Sequence, residues 1–98
     1  MSKITKDGDK VIVKPGKDIV ASMVDQLKEE LKQALDDGAT KMAIDLSKVK
    51  MMDSMGIGLL IATHNSLEKN GSQLELLNTS ADILKLLRNM RLDKHFIV

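Results

Sequence analysis

The period of the apolar positions changes several times along this chain, and each change marks an element. Residues 2–6 form a weak strand, "DGD" reads as a turn, and "KVIVK" is a short apolar core with lysines at both ends, so a hairpin at a sheet edge is expected. "PGKD" closes it, with Asp18 as the expected helix N-cap. Over residues 19–37 the spacing is helical: Val20, Met23, Val24, Leu27, Leu31, Ala34 and Leu35 share one face, while Asp25, Glu29, Lys32 and Asp36 lie opposite. Gly38 suits the position after the helix end. "KMAIDL" alternates as a strand, the loop "SKVKMMD" follows, and a second helix is expected over residues 54–70, ended by "NG". "QLELL" is the next strand, Ser80 caps a third helix over residues 82–90 that turns Ile83, Leu86, Leu87 and Met90 inward, and "HFIV" forms a last strand.

The resulting order, ββαβαβαβ, belongs to the α/β class, with a parallel or mixed sheet and helices packed against it. Val11, Val13, Ile44 and Leu76 are expected in that sheet, covered on one side by the first two helices. With 98 residues, this predicts a single domain over residues 1–98 with one core and no room for a deep active-site cavern beside it.

The first two helices differ in charge. The first carries seven charged side chains, whereas the second has only Glu68 and Lys69, both in its last turn. At 100° per residue, Ile57, Leu60, Ile61, His64 and Leu67 fall toward the core. Met55, Leu59, Ala62 and Ser66 fall opposite, forming a neutral face that suits either burial against another helix or contact with a partner.

Composition narrows the function. The net charge is +1 with both signs interspersed, and Phe96 is the lone aromatic residue, so neither a basic stripe nor a stacking platform for nucleic acid exists. Seven methionines and an otherwise aliphatic set must fill the core. The absence of cysteine excludes thiolate chemistry and disulfides, and His64 and His95 show no metal-ligand spacing. No cofactor is expected. No signal peptide or membrane-length apolar run is read in the sequence, which makes a cytoplasmic location the expectation.

The candidate chemistry lies in "VKMMDSMGIGLL", residues 49–60. Ser54 or Asp53 could cap the second helix. As a phosphate-binding loop, "GIG" lacks both the third glycine of a dinucleotide fingerprint and the Gly-Lys-Ser/Thr ending of a P-loop. As a nucleophile, Ser54 lacks the Gly-x-Ser-x-Gly elbow, and no base is assigned to it; His64 reads as a structural histidine on the core face. Gly56 and Gly58 are expected to let the helix start lie close against the sheet. An enzyme is not expected.

The run "IDLSKVKMMDSMGIGLLI" resembles the STAS family of bacterial anti-sigma-factor antagonists in its apolar strand, loop, Asp-Ser pair and Gly-apolar-Gly. The element order and "LLRNMRLDKHF" extend the likeness over the whole chain. The resemblance implies a four- to five-stranded mixed sheet with helices mainly on one face, and Ser54 as a phosphoacceptor. It implies binding to an anti-sigma factor with serine kinase activity and reactivation by a serine phosphatase, without nucleic acid or membrane, as a monomer. Met52, Asp53, Met55, Gly56, Gly58, Leu59 and Ala62 then become the expected partner contact. Met55 stands where many antagonists carry Ser or Thr. A lone domain of this size is more similar to the free antagonists than to transporter-tail or stressosome-like members. The alternative is a constitutive interaction or scaffold subunit in which Ser54 only caps the second helix.

Overall fold

The computed structural model describes residues 2–97. Strand β1 (Lys3–Asp7) and strand β2 (Lys10–Lys14) form the expected antiparallel hairpin, turned at Gly8 with φ 65°. Helix α1 (Ala21–Asp36), strand β3 (Lys41–Asp45), helix α2 (Ser54–Glu68), strand β4 (Leu74–Leu77) and helix α3 (Ala81–Asn89) follow. The sheet order is β1-β2-β3-β4, with β2, β3 and β4 parallel, which makes the sheet mixed.

Alternation along the strands sets the layers. Val11 and Val13 on β2 register with Met42 and Ile44 on β3, and these with Leu74 and Leu76 on β4. All six are buried and join Leu27 and Leu31 of α1 and Leu60 and Leu67 of α2 in one core. On the other face, the Lys10 ammonium reaches Glu75 at 2.8 Å across β3, above Ala43, which is fully buried. No helix among the described residues is long and apolar enough to cross a membrane.

The ends of the helices follow local chemistry. After Asp37, Gly38 adopts φ 97°, and the amides of Gly38 and Ala39 donate back to Leu35 and Ala34, the two bonds of a Schellman closure. Ser80 caps α3 through Ile83 N at 3.2 Å, as expected.

Four expectations need correction. Asp18 does not cap α1; the N-cap is Val20, which offers no side-chain bond, and Asp18 serves another loop. Met90 is the residue at which α3 ends, and it is exposed rather than inward. The last expected strand is reduced to one parallel bridge between Ile97 and Glu75, because a turn at residues 93–95 and the inward packing of Phe96 leave a single residue in register; Val98 lies outside the described residues. Leu59, expected on the neutral face, is buried with Thr63 because α2 packs against α1 as well as the sheet, which widens its buried arc.

Candidate functional site

The site grows from two loops that lie side by side. Residue 19, just before α1, bridges residue 52, just before α2, in parallel fashion: Ile19 N donates to Met51 O at 3.1 Å and Asp53 N donates to Ile19 O at 3.2 Å. Two aspartates lock the crossing. Asp18 Oδ1 accepts from Lys50 N and Met51 N at 2.8 and 3.1 Å. Asp53 answers from the other loop. Its Oδ1 accepts Gly56 N at 2.9 Å, capping its own helix, and its Oδ2 accepts Ala21 N at 2.8 Å, the first amide of α1. One carboxylate therefore caps two helices, which is why α1 needs no capping side chain of its own. The amides of Gly56 and then Ala21 hold the Asp53 carboxyl below the usual carboxylate range.

Gly56 is required by this crossing. A Cβ there would meet the carbonyl oxygen of Ile19 and lie 2.8 Å from the Ile19 Cγ2 methyl and 3.0 Å from Met52 Cγ. The close approach is thus to the residue-19 bridge rather than to the main sheet. Gly58 is different: a Cβ there would enter open space. Only one of the two glycines is a packing glycine.

Asp53 occupies the N-cap, so Ser54 is the first helical residue of α2. Its side chain is exposed, and its hydroxyl makes no hydrogen bond among the described residues. Met55 follows it and shares its surface, and Met51 stands three residues earlier; they are 57 % and 59 % exposed. Met52 points the other way and is 5 % exposed, so its side chain belongs to the core and does not face a partner. Gly56 and Leu59 are likewise buried, while Gly58 and Ala62 lie at the surface. Of the expected contact set, Ser54, Met55, Gly58 and Ala62 therefore present one continuous outer edge of α2, with Asp53 partly exposed at its start.

His64 keeps its structural part. Its ring is buried, Nδ1 accepts Leu74 N at 3.3 Å, and the ring packs edge-on against Phe96. The Nδ1 lone pair is thereby committed to the start of β4, far from Ser54.

A profile of the STAS domain matches residues 1–98. This chain belongs to the STAS family. Over 74 residues, 76 % of this chain and 68 % of the relative, it is 34 % identical to the anti-sigma-B factor antagonist of Staphylococcus aureus (strain NCTC 8325 / PS 47). The protein of the same description from Staphylococcus epidermidis matches to the same extent. Among solved structures, an anti-sigma factor antagonist from Thermotoga maritima superposes with a TM-score of 0.91 at 23 % identity, covering 98 % of this chain and 83 % of that one. The Bacillus cell fate determinant SpoIIAA in its phosphorylated form gives 0.77 at 21 % identity, over 98 % and 88 % of the two chains. These likenesses establish a STAS fold.

The sequence singles out Ser54 and its neighbours as candidates but gives little sign of the loop that packs beside them. Asp18, Ile19 and Ala21 are part of the site, and the signal for them was weak: an aspartate before a helix ordinarily caps it.

Proposed function

We propose that this STAS domain is an anti-sigma-factor antagonist: a binding protein without catalytic activity whose unphosphorylated form sequesters an anti-sigma factor with serine kinase activity. Phosphorylation at Ser54 by that kinase ends the complex, and a serine phosphatase restores it. The observation that carries this reading is the division of labour at the start of α2. Asp53 does the capping, which leaves the Ser54 hydroxyl exposed and without an internal partner. A hydroxyl in that position is open to an enzyme that modifies it. The names of the staphylococcal relatives support the same reading.

The alternative, a constitutive scaffold in which Ser54 merely caps the helix, has less support because the capping bond belongs to Asp53. Phosphate would add a charge of about −1.5 to −2 next to Met55 and the outer edge of α2. The free amides and macrodipole of the helix start tolerate an anion, so the fold persists while a partner surface is repelled.

The test combines intact mass with mutagenesis. Incubation with the anti-sigma serine kinase of the same genome and ATP should add one phosphoryl group, mapped to Ser54. Ser54→Ala should take up none, while binding the kinase about as tightly as the parent. Undiminished incorporation in Ser54→Ala would move the acceptor to another hydroxyl, and no incorporation into the parent would favour the scaffold.

A further inference from the structure

A groove runs between α1 and α2 and opens at Ser54. Its α1 wall carries Lys28, Lys32 and Leu35, and its α2 wall carries Leu59, Ala62 and Ser66. At its mouth, Lys28, Leu59 and Ala62 continue directly into the surface lined by Ser54, Met55 and Gly58. From Ser54 to Ser66 the α2 edge runs about 18 Å at ~1.5 Å per residue, or a little over three turns.

Charge on the two walls is unequal. The α2 wall has no charged side chain before Glu68. On α1, Lys28 and Lys32 are both exposed and stand four apart, so both ammonium groups lie along the same rim of the groove. Neither has an acidic partner within salt-bridge distance among the described residues. The rest of the lining is largely apolar, with Leu31 and Leu35 from α1 and Leu59 from α2. An apolar trough with unpaired cations on one rim fits an amphipathic helix whose apolar residues enter the trough and whose carboxylates face the lysines.

We infer that the α1–α2 groove is the docking site for an acidic amphipathic helix of the anti-sigma partner, seated along α2 from Ser54 to Ser66. This rests on the proposed antagonist function and adds to it the chemistry of the partner segment and the surface that it occupies. A phosphate on Ser54 would place a dianion at the groove mouth beside Lys28, where it competes for that ammonium and repels the incoming carboxylates. The same geometry accounts for a switch residue at the end of a contact surface rather than at its centre.

Binding of the anti-sigma serine kinase of the same genome, measured by calorimetry, tests the groove. Ala62→Trp fills the trough from an exposed position, and the double variant Lys28→Glu, Lys32→Glu reverses its rim. Each should weaken binding about tenfold or more with an unchanged circular-dichroism spectrum, and Lys85→Glu on α3 should stay within about twofold of the parent. Affinity of the parent should also fall with added salt. Should Ala62→Trp fail to fold, the charge reversal decides alone. If both groove variants bind like the parent while Ser54→Asp binds weakly, contact is confined to the helix start and the groove proposal is wrong, though the switch stands. If the groove variants weaken binding and Ser54→Asp does not, the groove stands and the Ser54 switch fails. A parent that does not bind this kinase at all overturns both.

Discussion

Two glycines two residues apart have opposite consequences. Gly56 sits under the carbonyl of Ile19, and because the obstructing atom is backbone it cannot rotate away. Gly56→Ala should therefore lower stability by about 1–3 kcal/mol, the range for a methylene forced into a packed site. Gly58 lies in the interior of α2 with open space where its Cβ would stand. Gly58→Ala should raise stability by roughly 0.5–1 kcal/mol, the conformational cost that glycine imposes on a helix. Urea unfolding of the two variants beside the parent decides this; equal effects would mean that the crossing of residues 19 and 52 yields under load. Both glycines read alike in sequence, since what separates them is a carbonyl from a loop more than thirty positions earlier, about which local spacing is silent.

The same holds among the elements. The helices and strands β2, β3 and β4 were legible from periodicity, because each buries one face and its alternation or 3.6-residue recurrence records that face, whereas β1, exposed along its whole length, was legible only from the turn that follows it. What was not legible is how helix starts are shared. Asp18 looks like the cap of α1 yet serves residues 50 and 51, and Asp53 caps α2 and α1 together. The Asp53 carboxyl is held below its ordinary value by these amides, so its stabilising effect is present in full above the unfolded value of about 3.9 and disappears as pH falls through the lower folded value. Unfolding midpoints of the parent and of Asp53→Asn should differ most near neutral pH and converge as pH drops below about 4. A gap that persists unchanged into acid would assign the role of Asp53 to shape rather than charge. Leu59 shows the remaining limit: a helix touching both a sheet and a neighbouring helix has a buried arc too wide for a single-face reading.

For the molecule as a whole, the core lies between the sheet and the paired helices, whereas Ser54 stands on the outer edge of α2 and is exposed. A charge placed there should change the surface without changing the architecture. Ser54→Asp is expected to keep the circular-dichroism spectrum and melt close to the parent, because an anion at the first helical position meets the positive end of the helix. Amide shifts in a heteronuclear spectrum should be confined to the loops around residues 18–24 and 50–60, with β4 and α3 unmoved. Shifts that spread across the sheet would show the hydroxyl to be structural and would undercut the proposed switch.

The shared carboxylate also has a consequence for synthesis. Helix α1 borrows its terminal bond from a residue 32 positions later. On a ribosome adding roughly 5–20 residues per second, the start of α1 stays unclosed for about 2–6 s after it has been made. During that interval the β1–β2 hairpin can pair, but the first amide of α1 has no carboxylate to close it. The first helix thus waits for its cap until the loop that carries Asp53 and Ser54 arrives, while the hairpin is held by its own strand pairing.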